Sequence, residues 1–544
     1  MNQVLAFLLL IGPLIFIHEL GHLLAAKLVG VKALSFSIGF GPALLKIRLG
    51  ETEYRLAPIP LGGYVTLLGA TPTDDVPAHE ESRALRSKPL WARYLVLFAG
   101  PLFNLLLPVL LYGAFFLGQT QVDPPVIGTI LDQSAAQEFG LEPGDRVLAV
   151  NGDDLHSWRD LQDHVRRAPG QELHFEIERG GERIDRYISP RRTLIKTTLG
   201  ETIPRGQLGV FPWSYAPQIG LSELDCPAYE KGLRTGDIIT SINGEPIETI
   251  EQLVRELASN EDASIRLTYL RARETEGELA SYLWYESKHT RLLPRKDAPA
   301  ITGIVPANTF VRTVAEDSPA FAAGLRPGDR VLAIDDLEIT RWETLALALD
   351  RKGEEPAQLR VQTPGEAPRT IALRQETRSF RDVYRQDRDY LWFGADPYQS
   401  RQLPEPEPIR GRFTYAARSA VVETLTMLEM MWTSLRQMVM LERGVDELTS
   451  VVGIFNVAGT AAQRGPGEFL LLMALISINL GFVNLLPIPI LDGGHLMFFT
   501  IEAIRRRPLG QRARELASAI GLVIILLLLL IALRNDVIRF WLDP

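Results

Sequence analysis

The sequence predicts a multi-domain α+β membrane protein, with four bilayer-crossing helices and a large polar insert between the second and the third. Three observations carry this reading. Residues 4–26, 95–118, 469–491 and 516–533 are strongly apolar, and a helix of ~20 such residues crosses the hydrocarbon of a bilayer. The stretch from about 120 to 412 is instead polar, charged and rich in Gly and Pro turns. Within it one block recurs three times at a constant interval, the mark of a single module used repeatedly. At 544 residues the chain is too long for one core, and its average composition, 46% hydrophobic and 23% charged, conceals these two populations.

The first apolar run follows Met1-Asn2-Gln3, with no positive segment before it and no small-x-small cleavage site after it. It also carries His18, Glu19 and His22, so residues 1–30 read as a retained first span. Basic residues then fix an orientation. Lys27, Lys32, Lys46, Arg48, Arg55, Arg83, Arg86, Lys88 and Arg93 lie between the first two apolar runs, and Arg505, Arg506, Arg507, Arg512 and Arg514 between the last two. Both segments belong in the cytoplasm by the positive-inside rule, which leaves residues 120–412 outside it. His18, His22 and Asp492 then fall at similar depth toward the cytoplasmic side. The net charge of −9 and the lack of a basic stripe argue against a nucleic-acid partner. Cys226 is the only cysteine, which excludes an internal disulfide and a cysteine-based zinc knuckle.

His18-Glu19-Leu20-Gly21-His22 is an H-E-x-x-H motif within a predicted helix. Residues four apart stack on one face about one turn apart, so two imidazoles can hold one metal ion. Glu19 is then placed to act as general base. The pattern arises by chance in roughly one or two chains per hundred of this length. Its setting changes that weighting, because an ionisable group inside a membrane helix costs about 3 kcal/mol and three together need a compensating partner. A catalytic zinc takes three protein ligands, so a third must come from another membrane segment. Asn484-Leu-Leu-Pro-Ile-Pro-Ile-Leu-Asp492-Gly-Gly-His495 supplies it. Pro487 and Pro489 break the helix, and broken backbone at membrane depth is tolerated only where protein or a water cavity satisfies it. Asp492 is the favoured ligand and His495 its rival.

These two motifs resemble the signatures of the site-2 protease family of intramembrane zinc metalloproteases. The resemblance implies that Asp492 is the third zinc ligand and that Asn484 contacts substrate. It further implies a four-span metalloprotease core, residues 1–30, 95–118, 469–495 and 516–534. Residues 31–94 form a cytoplasmic-side region containing a membrane-re-entrant β structure, and residues 496–515 a cytoplasmic loop. Alternating residues with Gly and Pro breaks from Gly39-Phe-Gly-Pro42 to Pro58-Ile-Pro-Leu-Gly62-Gly63-Tyr64 fit short hairpins. The family uses such a sheet edge to pair with an unwound substrate strand, which makes Gly62 and Gly63 substrate-binding candidates. Gly100-Pro-Leu-Phe-Asn104 opens the second predicted span and resembles another family motif. Asn104 is expected either to touch substrate or to cap that helix.

The repeated block reads Gly140-Leu-Glu-Pro-Gly-Asp145, Gly232-Leu-Arg-Thr-Gly-Asp237 and Gly324-Leu-Arg-Pro-Gly-Asp329. These resemble the heart of PDZ domains, and three modules are expected over 120–200, 201–297 and 298–397, in an array that the predicted orientation makes periplasmic. A second element also repeats, Gly209-Val-Phe-Pro212, Gly303-Ile-Val-Pro306 and Gly394-Ala-Asp-Pro397. Such loops can hold a peptide C-terminus while the peptide adds a strand, with Leu208, Gly209 and Val210 the best candidates; a purely steric role for the array is the alternative. Residues 398–468 are expected to be linker and amphipathic periplasmic helices, because residues 413–440 carry Glu423, Glu429 and Arg436.

The expected protein is thus a multi-pass enzyme of a bacterial inner membrane. It uses Zn2+ to cleave single-pass membrane proteins in the bilayer, and the resemblance implies an anti-sigma factor or remnant signal peptides as substrates. A peptide-binding scaffold without catalysis is the competing class, and the complete His18, Glu19, His22 and Asp492 set argues against it.

Overall fold

The computed structural model describes the chain apart from residues 1–2, 71–73, 197–201, 261–263, 277–280, 294–301, 382–386, 399, 441–448, 508 and 539–544. It forms two compact units, one of Met1–Thr120, Arg381–Gln386 and Ile409–Pro544, the other of Gln121–Phe380 and Asp387–Pro408.

The first unit opens with α1 (Gln3–Leu28), followed by a sheet of β1 (Ala33–Phe40), β2 (Leu45–Leu49), β3 (Thr52–Leu56) and β4 (Ile59–Leu67), then α2 (Leu90–Gly118). After the array come α3 (Arg412–Val439), α4 (Val451–Arg464), α5 (Pro466–Asn484), α6 (Asp492–Arg505) and α7 (Gln511–Val537). Among the described residues four helices are long and apolar enough to cross a membrane: α1, α2, α5 and α7. The charged α3 is not one of them. It runs back along α2, with Tyr415 packed edge-on against Phe116 and Ala420 facing Gly113.

In lipid no hydrophobic effect drives helices together, so close van der Waals approach through small residues must do it. Gly21 on α1 provides that approach. A Cβ there would stand 2.8 Å from the Ala99 carbonyl carbon of α2, so the two backbones touch. Near the start of α1, Leu10 clusters with Ala458, Ala461 and Leu472, and Phe7 meets Phe455 at 5.7 Å. The end of α7 is tied to the start of α4 by Asp536. This buried carboxylate accepts from the Ser450 and Gly453 amides, each at 2.9 Å. An anion is favoured at a helix N-terminus, and a Cβ on Gly453 would lie 3.0 Å from the carboxylate.

The sheet has strand order β2-β3-β1-β4. The hairpins expected between Gly39 and Tyr64 are part of a larger sheet from Ala33 to Leu67. In it β1 runs parallel to β3 and antiparallel to β4, with Ser37 opposite Tyr64 and Ile38 opposite Gly63. Among the described residues no strand covers the outer edge of β4.

The second unit contains three separate hydrophobic cores, one per module. In each, a Gly-Leu-x-x-Gly-Asp loop leads into a core strand, a helix and a strand pair. The helices are Trp158–Arg167, Ile250–Ser259 and Trp342–Lys352, the first two started by Ser157–Asp160 and Thr249–Gln252 capping boxes. The repeated aspartates Asp145, Asp237 and Asp329 are buried. Each accepts the amide three residues before it at 2.8 Å, and each is paired with an arginine: Arg179, Arg271 and Arg369. The motif thus fixes a loop through a buried ion pair.

The expected module boundaries need correction. The strands Val210–Phe211, Ile304–Pro306 and Ala395–Pro397 pair with Thr129–Ile130, Ile219–Leu221 and Val311–Val314, so each closes the module before it. The first module therefore continues past 200, through the hairpin of Arg191–Lys196 with Thr202–Gln207, and the second past 297. Positions 200 and 297 themselves lie outside the described residues. The stretch from 398, expected to open as linker, includes strands at Arg401–Gln402 and Glu407–Pro408; the latter pairs with Gln121–Val122, so the chain enters and leaves the array side by side.

Candidate metal centre

Helix α1 sets His18 and His22 one turn apart, and Asp492, the first residue of α6, meets them from another segment. The nitrogens His18 Nε2 and His22 Nε2 are 3.2 Å apart, and Asp492 Oδ2 lies 3.2 Å from the first and 3.6 Å from the second. Bonds of about 2.0–2.1 Å to a tetrahedral zinc put neighbouring ligand atoms about 3.3–3.4 Å apart. The three donors therefore fit that ion in chemistry and in spacing. Among the described residues they form the one group of three His, Cys, Asp or Glu side chains so placed.

Several features hold these ligands. His22 Nδ1 lies 2.8 Å from the Val96 carbonyl, which accepts a hydrogen bond from Nδ1–H and leaves Nε2 for the metal. Gly100 makes room for the ring, since a Cβ there would stand 2.5 Å from His22 Cε1. Asp492 is placed by a break in the third span: α5 ends at Asn484, Leu485–Leu491 turn, and α6 begins at Asp492. Leu491 N donates to Ile488 O at 2.9 Å within that turn. Gly493 and Gly494 press against the carbonyls of Leu485, Leu486 and Ile488, where a side chain has no room.

Glu19 is buried beside this group. It faces β4, where a Cβ on Gly63 would lie 2.9 Å from Glu19 Cγ and 2.7 Å from Ser37 O. Gly62 lies under the Phe40 ring. Asn484 is half-buried, and its side chain makes no hydrogen bond to another described residue. His495 is exposed, stacks edge-on against Phe498 and stands outside the metal group. Asn104 does not cap the second span, because α2 begins at Leu90 rather than 95; it is wholly buried and its amide lies 3.3 Å from His18 Nδ1. In the other unit, Leu208 O and Gly209 O accept from Ala136 N and Leu131 N, and Val210 pairs with Ile130. Sequence reasoning missed Val96, and it named Gly21 and Gly100 only as members of motifs, without the close contacts they make. Small residues within spans, as at Gly21 and Gly100, are the signal that could have found the close helix contact.

Two buried imidazoles, a half-buried carboxylate and an adjacent buried glutamate, set among helices of membrane length, define a membrane-embedded zinc metalloprotease. The chain belongs to peptidase family M50, whose model matches residues 6–528. A Neisseria meningitidis protein described as a candidate zinc metalloprotease is 29% identical over 552 residues, covering 99% of both chains. The regulator of sigma-E protease RseP of Escherichia coli is 27% identical over 546 residues, covering 98% of both. A regulator of sigma E protease from Haemophilus influenzae is 25% identical over 540 residues, again with 98% of each covered.

When bound, zinc supplies Lewis acidity that polarises a peptide carbonyl and makes water acidic enough to attack near neutral pH. His18, His22 and Asp492 are the residues that would hold the ion, and Glu19, buried on the same helix, would be the group to take a proton from water and pass it to the leaving amine.

Proposed function

We propose that this protease hydrolyses the membrane-spanning segments of single-pass membrane proteins that a first external cut has already shortened. The observation carrying this reading is where the metal group sits relative to α1 and β4. His22 is six residues from the helix end at Leu28, ~9 Å of helical rise, and β4, the last strand of its sheet among the described residues, passes beside Glu19 at Gly63. A helical substrate keeps its amides and carbonyls paired internally, so it must unwind before it can be cut. A free sheet edge offers the unwound strand new partners. In this reading Gly62 and Gly63 let that strand approach, Asn484 hydrogen-bonds it, and Glu19 acts as base.

The distribution of charge supports an orientation with the array in the periplasm of a bacterial inner membrane and the active site open toward the cytoplasm. Lys27 lies in the last turn of α1, Arg93 in the first turn of α2 and Arg505 in the last turn of α6, so basic residues gather on the segments that join α1 to α2 and α6 to α7. An anti-sigma factor is the proposed substrate, with remnant signal peptides as the wider class; that relatives are named regulators of sigma-E supports a role in sigma-factor control. Leu208-Gly209-Val210 is the proposed receptor for a peptide C-terminus.

The test is cleavage of a panel of tagged single-span proteins by the full chain in proteoliposomes. Products cut within the span, lost on zinc removal and regained on its return, are expected; products cut only outside the bilayer would refute the reading. A reporter enzyme active only in the periplasm, fused near Gly200, is expected to be active. An inactive reporter at normal expression would reverse the orientation.

A further inference from the structure

A histidine that binds metal through one ring nitrogen is neutral and carries its proton on the other. His22 has an acceptor for that proton in the Val96 carbonyl. His18 presents Nε2 to Asp492 and to His22 Nε2, each at 3.2 Å, so its proton must lie on Nδ1. The group facing Nδ1 is the Asn104 amide, 3.3 Å away. Asn104 is fully buried, and its Oδ1 has no other hydrogen-bond partner. An amide NH2 opposite this N–H would set donor against donor. The isosteric orientation, with Oδ1 toward Nδ1, gives both a partner.

We propose that Asn104 is the positioning residue for His18. Its Oδ1 accepts a hydrogen bond from Nδ1–H, fixes Nε2 as the metal-facing nitrogen and holds the ring plane. It does for His18 what the Val96 carbonyl does for His22. A second contact sets the residue in register with the rest of the centre: Ser477 Oγ of α5 donates to the Asn104 carbonyl at 2.8 Å, in a buried position. Asn104 therefore joins α1, α2 and α5, and α5 leads into the turn that carries Asp492. Its complete burial leaves no surface for a substrate.

Partners of metal-bound histidines typically contribute about 10–100-fold to metal affinity. The experiment titrates zinc from purified full-length protein with chelators of graded strength. Asn104→Leu, which removes the acceptor at similar volume, is expected to bind zinc about 10–100-fold more weakly. Asn104→Asp keeps an acceptor in place and is expected to hold zinc at least as tightly as the parent. A merely structural role would make both variants lose metal alike. Parental zinc affinity in Asn104→Leu together with a raised KM would overturn the proposal in favour of substrate contact. A tenfold loss of zinc in Asn104→Asp would also overturn it, and that result can be read whether or not the leucine variant folds.

Discussion

Replacing Gly100 with alanine places a methyl group where the His22 imidazole lies. The new Cβ would stand 2.5 Å from His22 Cε1 and 2.8 Å from Cδ2, whereas carbon atoms in contact settle at about 3.5 Å. The ring must therefore withdraw by about 1 Å, while metal sites tolerate only about 0.2 Å in ligand distance. It cannot withdraw freely, because Nδ1 is held by the Val96 carbonyl and α1 is pressed against α2 at Gly21. The expected outcome is loss of His22 as a ligand. Losing an outer partner alone costs 10–100-fold in affinity, so about 100-fold, or about 2.8 kcal/mol, is the floor for losing the ligand itself. The assay is chelator competition on the full chain, with Gly12→Ala as control on α1, where a Cβ meets nothing within 4 Å. Parental zinc affinity in Gly100→Ala would refute the reasoning.

The buried ion pairs of the array predict a graded response. Asp237 is buried and receives two hydrogen bonds from Arg271, at 2.8 and 2.7 Å, and this pairing holds the arginine's pKa above its usual value. Arg271→Ala strands the carboxylate and is expected to cost the second module about 3–5 kcal/mol, read as faster amide exchange in Ile238–Ile242; unchanged protection would contradict it. Thr363 stands at the corresponding place in the third module, where its hydroxyl donates to Asp329 beside Arg369. Thr363→Ala is expected to cost only about 1 kcal/mol, the worth of one hydrogen bond, and a loss as large as that of Arg271→Ala would contradict the ion-pair account. If the array acts as a size filter, replacing residues 125–395 with a flexible segment should allow cleavage of untrimmed substrates and leave pre-trimmed ones cut as before. Loss of cleavage of pre-trimmed substrate with zinc still bound would make the array a recruiting device.

The parts legible in the sequence are those written in local spacing or in unusual placement. His18 and His22 share a face because four residues make one turn, and Asp492 stands out as a carboxylate beside a proline-broken span. The three modules declare themselves by repetition. What stayed hidden depends on contacts between distant segments. Gly100 reads only as the start of a motif until α1 brings His22 against it, and Asn104 reads as a substrate contact or a helix cap until α2 is seen to begin at Leu90. The module boundaries were misplaced because the closing strands, such as Val210–Phe211, are assigned by pairing with strands some 80 residues earlier. Asp536 likewise gave no local sign that it holds Ser450 and Gly453.

The measurement that tests the central claim most directly is zinc content together with single-turnover cleavage in Glu19→Gln, purified as the full chain and placed in lipid. Glu19 is buried next to the three ligands without belonging to their group, so the amide removes the base and leaves the ligands in place. One zinc per chain with no cleavage of a single-span substrate is the predicted result. Parental cleavage by the zinc-loaded variant would contradict the mechanism, and loss of zinc would contradict the assignment of His18, His22 and Asp492 as the ligand set.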